Sequence, residues 1–207
     1  MKNLLKITAF VVFFCFIFSV CTLACDIPLL VNKSYPLPAD YVPQRLTELK
    51  STRNDGRAVQ MMCFSAAKAL DKMLSDLNAA FRDQAPVTVT SGYRSYEYQK
   101  SLYDAAIQNH TERFTAPPGA SEHQSGLAAD LHDMTYASAD FAKSEKYLWL
   151  CENAYKYGFI LRYPKGMESI TGYAFEPWHW RYVGRFHAEK IRSSGMCLEE
   201  YIENLKN

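Results

Sequence analysis

Ser121-Glu122-His123-Gln124-Ser125-Gly126-Leu127-Ala128-Ala129-Asp130 sets a histidine and an aspartate seven residues apart, with a glycine between them. On one helix that spacing is about 10.5 Å of rise. Metal–ligand bonds of ~2.0–2.2 Å could not reach both residues from one ion across that gap. A straight strand, at about 3.3 Å per residue, separates them further. The two side chains converge only if the chain turns between them. Ser125-Gly126 supplies the turn, because Gly126 tolerates positive φ. Asp130 then falls in a short strand between apolar Ala129 and Leu131, where a lone carboxylate is costly without a partner. A cation is one such partner.

A second stretch, Glu176-Pro177-Trp178-His179-Trp180-Arg181-Tyr182, alternates aromatic with polar residues. As a strand it puts Trp178, Trp180 and Tyr182 on one face and His179, Arg181 and Val183 on the other. Pro177 keeps Glu176 out of a helix. Glu176 then sits three residues before His179, close enough to flank the same site without being a ligand.

Working outward, apolar residues recur at helical spacing from Ala58 to Phe81, which predicts one long helix. Val87 to Thr90 predicts a strand. Ser95 to Asn109 reads as a helix with Ser95 as N-cap. Residues 112–126 are loop-rich, and Leu127 to Leu131 is a short strand. Ser144 to Tyr157 predicts a helix closed by Gly158, and Phe159 to Leu161 a strand. Arg185 to Arg192 and Leu198 to Leu205 predict terminal helices. Helices and short strands mix without a βαβ rhythm, so the class is α+β, a small antiparallel sheet flanked by helices.

The chain has 207 residues, 48% apolar and 14% aromatic, which excludes a disordered chain. It carries 23 Lys+Arg against 22 Asp+Glu. Lys2 and Lys6 precede a run, Ile7 to Leu23, that is almost wholly apolar, and Thr22-Leu23-Ala24 offers small residues before Cys25. Residues 1–24 thus read as a signal peptide, with an uncleaved anchor or a lipoprotein leader as alternatives. Each places the body outside the cytoplasm. Without residues 1–24 the balance is 21 cations against 22 anions, which argues against a nucleic-acid binder. Residues 25–56, with Pro28, Pro36, Pro38 and Pro43, read as an extended lead-in, and residues 57–207 as one domain. Cys25, Cys63, Cys151 and Cys197 lack CxxC spacing, so a thiolate zinc site is not expected. Export permits disulfides, but sequence does not fix their pairing.

Two histidines and a carboxylate with an open fourth position form a catalytic zinc set, and a free Glu nearby is the base such a site needs. No HExxH-like signature is present, so spacing alone also allows a structural reading of these residues. Among the other histidines, His110 and His187 read as surface residues. His132 reads either as a neighbour of the metal site or as a surface or core residue, and Tyr93 as a candidate pocket residue.

Three blocks taken together resemble the VanY-type D-alanyl-D-alanine carboxypeptidases, zinc peptidases that trim bacterial cell-wall stem peptides. The blocks are Ser91 to Ser95 with Gln99, Pro118 to Asp130, and Ile170 to Gly184. The resemblance spans roughly residues 60–190. It implies that His123, Asp130 and His179 bind one zinc per chain and that Glu176 is the catalytic base. It implies that Arg94 stabilises substrate or transition-state charge, and that Gln99 and Ser121 help hold the peptide's terminal carboxylate. Ser125 stands where Thr is common. Met167 stands where the loop often carries Lys, which puts one substrate contact in doubt. The expected activity is removal of the terminal D-Ala from peptidoglycan stem peptides by an exported monomer, with membrane contact only through the N-terminal segment. The alternatives are an L,D-carboxypeptidase acting on tetrapeptide stems, a dipeptidase, and a non-catalytic zinc-stabilised wall-binding module. A module of that kind has no need of Glu176.

Overall fold

The computed structural model describes residues 28–52, 58–112, 115–134 and 138–207. The proposed leader and Cys25 lie outside the described residues. A two-stranded sheet pairs β1 (Leu46–Glu48) with β2 (Met61–Cys63), antiparallel. The chain then runs through α1 (Phe64–Ala80), β3 (Thr88–Ser91), α2 (Tyr96–Gln108) and β4 (Ala128–His132). It continues through α3 (Glu145–Asn153), β5 (Phe159–Leu161), a one-turn α4 (Glu168–Thr171), β6 (His179–Tyr182), α5 (Arg185–Ser194) and α6 (Leu198–Lys206). The central sheet has the order β3-β4-β6-β5, all pairs antiparallel. The fold is α+β, as the mixed pattern of elements predicts.

Register decides what the sheet presents. Asp130 lies opposite His179, Ala129 opposite Trp180 and Ala128 opposite Arg181. Directly opposed residues on one face have Cβ atoms about 4.5–5.5 Å apart. One face of the β4–β6 pair therefore carries Asp130, His179 and Arg181. The other turns Ala129, Leu131 and Trp180 into the core with Leu70, Met73, Leu74 and Leu77 of α1. The alternation of the second stretch is realised from His179 to Tyr182 and there separates chemistry from packing, whereas Trp178, expected beside Trp180, precedes the strand and lines the cleft with His179.

Two boundaries differ from the expected ones. The helix expected from Ala58 begins at Phe64, because Met61, Met62 and Cys63 pair with β1. The helix expected to reach Tyr157 ends at Asn153 and tightens into a 3-10 turn over Ala154–Tyr157, with Gly158 at φ 88° closing it. The described part of the lead-in packs on the body: Leu49 joins the core, the Leu37 N–H donates to Gly119 O, and Gln124 Nε2 donates to Pro38 O. Ser95 is the N-cap of α2, accepting from the Tyr98 N–H, as expected. Among the described residues no helix is long and apolar enough to cross a membrane, and Cys63, Cys151 and Cys197 are free thiols.

The turn between His123 and Asp130 forms where expected. Glu122–Ser125 is a 3-10 turn ended by Gly126 at φ 69°. A Cβ on Gly126 would lie 3.0 Å from Cys63 Sγ, 3.1 Å from Pro43 Cγ and 3.2 Å from Leu46 Cδ2. Gly126→Ala should therefore cost at least the ~1–2 kcal/mol of a left-handed L-residue, read as a lower urea midpoint. An unchanged midpoint would show that the turn relaxes freely.

Candidate active site

The site is built from three connections. The first is the β4–β6 register, which sets Asp130 beside His179: Asp130 Oδ1 is 3.3 Å from His179 Nδ1. The second is the Gly126 turn, which returns His123 to the same point, with His123 Nε2 3.4 Å from Asp130 Oδ1. The two imidazoles meet edge to face at 5.0 Å between centroids. The third is the tight turn into β6, where the His179 N–H donates to Glu176 O at 3.2 Å. That turn swings the Glu176 carboxylate to 3.6 Å from His179 Nδ1.

Hydrogen bonds orient each ring. His123 Nδ1 lies 2.7 Å from the carbonyl of Gly92. A carbonyl only accepts, so Nδ1 carries the proton and Nε2 turns its lone pair into the site. Gly92 must be glycine, since a Cβ there would lie 2.6 Å from Met61 O. His179 Nε2 lies 3.3 Å from Glu122 Oε2, leaving Nδ1 toward Asp130.

One ligand atom from each of His123, Asp130 and His179 lies within 4.8 Å of the other two. His123 Nε2 and Asp130 Oδ1 are buried and have no hydrogen-bond partner among the described residues. Two electron-rich atoms turned toward each other in a buried site carry a desolvation cost that a cation removes. The donor set, two imidazoles and one carboxylate, is that of a catalytic zinc centre. The residues present therefore fit the metal.

Charge is distributed unevenly here. Burial pushes the Glu176 carboxyl up to about 7, with Asp130 adding to the rise and His179 and Arg94 opposing it. Burial pushes His123 down to about 4, helped by Arg94. For His179 in the metal-free chain burial lowers the value, but the Asp130 and Glu122 carboxylates on either side of the ring outweigh it and hold it near 9. Burial also works against ionised Asp130, and the two histidines more than reverse that, leaving it well below the usual carboxylate range.

The cleft above these groups encloses about 390 Å³. Its floor is His123, Asp130, His179, Glu176 and Arg94. Leu102, Ala105 and Ala106 of α2, Asn109 at its C-cap, and Tyr163, Tyr173 and Trp178 also line the cleft. Arg94 reaches 3.8 Å from Asp130 Oδ2, so that carboxylate has a cationic neighbour besides any metal. Gln99 is buried, accepts from Arg94 Nη1 at 2.9 Å and donates to Ala116 O at 2.7 Å. Both ends of its amide are thus engaged in fixing Arg94 and the loop. Ser121 lines the cleft.

Some expectations change. His187 is not on the surface: it is buried between α5 and α6, 2.8 Å from Tyr201 OH, because α5 turns His187, Ala188 and Ile191 to one side. His132 is buried against Phe141, its Nδ1 accepting from the Met134 N–H, away from the metal-site cluster. Tyr93 is not among the cleft-lining residues. The largest feature given no role in the sequence reading is Glu122. It is completely buried and bound to Arg162 and Arg181, each at 2.6 Å. Arg181 had a usable signal, since alternation places it on the face of His179, where a buried guanidinium requires a carboxylate. Arg162 and Glu199 had none.

Comparison with known proteins agrees with this geometry. The family model described as VanY, D-alanyl-D-alanine carboxypeptidase, matches residues 60–185. A D-alanyl-D-alanine carboxypeptidase of Enterococcus faecalis is 37% identical over 86% of this chain and 66% of its own length. This chain thus spans about two thirds of that relative. The structure of the LdcB LD-carboxypeptidase superposes with a TM-score of 0.77 at 38% identity, covering 84% of each chain. A mutant of the vancomycin-resistance D,D-pentapeptidase VanY, in complex with Zn(II), superposes with a TM-score of 0.67 at 36% identity, covering 84% of this chain and 97% of that one. The chain belongs to the VanY family of D-alanyl-D-alanine carboxypeptidases, a family of peptidases.

Proposed function

We propose that this chain is a zinc-dependent D-alanyl-D-alanine carboxypeptidase that removes the terminal D-Ala from peptidoglycan stem peptides. The observation that carries the reading is the meeting of His123, Asp130 and His179 on the floor of one cleft, with Glu176 beside them but outside the ligand set. One zinc per chain would be held by His123 Nε2, an Asp130 carboxylate oxygen and His179 Nδ1. When bound, zinc supplies Lewis acidity and lowers the pKa of the water it holds to about 7.

The rest of the work falls to the chain's own groups. Glu176 takes a proton from the attacking water and passes it to the leaving amine as the C–N bond breaks. Its raised pKa suits it to both directions of transfer near neutral pH. Arg94 presents a planar fork to a carboxylate or to the developing oxyanion, and Gln99 holds that fork in place. Arg94→Ala should lower kcat/KM by about 10²–10³-fold, the usual loss for one oxyanion donor, with zinc content unchanged. A loss below tenfold would remove Arg94 from the reacting centre.

The apolar run after Lys2 and Lys6 supports an exported location, with membrane contact only through that segment. The likeness to LdcB supports a second reading, L,D-cleavage of the tetrapeptide stem by the same parts. Mass spectrometry of synthetic muropeptides incubated with residues 26–207 separates the two. Loss of one alanine from the pentapeptide is the expected result. Cleavage of the tetrapeptide alone would move the assignment to the L,D class. Cleavage of neither, with zinc bound, would leave a binding module.

A further inference from the structure

The geometry points to Glu122 as a positioning residue: it fixes which nitrogen of His179 faces the metal and ties that ring to a buried chain of ion pairs. The inference rests on the zinc reading above. His179 has one nitrogen for each of two carboxylates. Nδ1 lies 3.3 Å from Asp130 Oδ1, and Nε2 lies 3.3 Å from Glu122 Oε2. Both carboxylates only accept, so the metal-free ring can donate to each; a cation beside Asp130 would take the Nδ1 lone pair, and the remaining N–H then falls on Nε2, facing Glu122.

Glu122 divides its oxygens between two tasks. Oε1 accepts from Arg162 Nε and Arg181 Nη1, both at 2.6 Å. Oε2 is left for His179. Neutralising the two arginines explains the first oxygen and not the second. The arginines in turn are anchored. Arg162 grips Glu199 with both terminal nitrogens, at 2.8 and 2.6 Å, and Arg181 Nη2 donates to Leu29 O. Glu199 and Leu29 both lie outside the matched residues 60–185. The ion-pair chain behind Glu122 therefore runs to α6 and to the start of the described chain, while the contact to His179 itself is made by Glu122 alone among the described residues of that chain. His123 needs nothing comparable, because its second nitrogen is held by the Gly92 carbonyl.

Glu122→Gln and Glu199→Gln discriminate positioning from charge balance. Each removes one negative charge from the same buried cluster. In Glu122→Gln the arginines claim the amide oxygen and its NH₂ turns toward His179, favouring the tautomer that protonates Nδ1. Zinc affinity, measured by competition with a chromogenic chelator on folded protein, should fall about 10–100-fold, as for other partners of metal-bound histidines. Glu199→Gln should lower the urea midpoint and leave zinc affinity near the wild-type value. Equal zinc affinity in Glu122→Gln and wild type would overturn the inference while leaving the zinc site standing. A wild-type chain that binds no zinc would overturn both. If Glu122→Gln does not fold, the long-range ¹H–¹⁵N imidazole spectrum of the zinc-loaded wild type decides. A protonated Nε2 on His179 supports the assignment, and a protonated Nδ1 overturns it.

Discussion

Replacing Glu176 by Gln is expected to lower turnover of a D-alanyl-D-alanine-terminated peptide by about 10²–10⁴-fold, the usual contribution of a positioned general acid–base. The amide keeps the size and shape of the carboxyl but cannot take up a proton. The three ligand atoms on His123, Asp130 and His179 are untouched, so zinc content should stay the same. The loss should fall on kcat with KM little changed, because Glu176 acts on the proton in transit rather than on the bound peptide. Metal analysis beside steady-state kinetics checks both halves. Retained turnover would remove Glu176 as the base. Loss of zinc along with activity would make it a ligand instead.

Glu122→Ala is expected to destabilise the folded chain by about 3–5 kcal/mol, the cost of breaking a buried ion pair by removing one partner. Glu122, Arg162 and Arg181 have no exposed side-chain surface. The surrounding charges pull the Glu122 carboxyl far below the usual carboxylate range even though burial alone would raise it. Among the described residues, alanine leaves Arg181 with the backbone carbonyls of Leu29 and Tyr182 alone. Against a typical total of about 5–15 kcal/mol, this is a large fraction. Urea unfolding measures it. Glu199→Ala should cost less, since Glu199 keeps some contact with solvent. A shift below about 1 kcal/mol for Glu122→Ala would place that carboxylate among ordinary surface pairs.

The parts of the site that were legible in the sequence are those governed by local geometry. Seven residues with a glycine between His123 and Asp130 demanded a reversal, and Gly126 makes it in the left-handed region. Period-2 alternation around His179 separated the chemistry from Trp180, and the observed register keeps that separation. The turn through Pro177 left Glu176 beside the histidine. What stayed hidden depends on distant pairing. Met61 to Cys63 has helical neighbours, but the strand β1 claims it. His187 has no signal distinguishing it from a surface residue until α6 brings up Tyr201. The Glu122–Arg162–Glu199 chain joins residues 40 and 37 positions apart, and no local pattern links them. Gln99, which its block marks as a substrate contact, lines the cleft, and its bonds to Arg94 and to the Ala116 carbonyl become visible only in the fold.

The most direct measurement is a zinc titration of metal-stripped protein, with release of D-alanine from a synthetic pentapeptide stem as the readout. The account predicts no release without metal, a linear rise up to one zinc per chain, and a plateau beyond it. Full release from the stripped protein, or a rise that continues past one equivalent, would contradict a single zinc held by His123, Asp130 and His179.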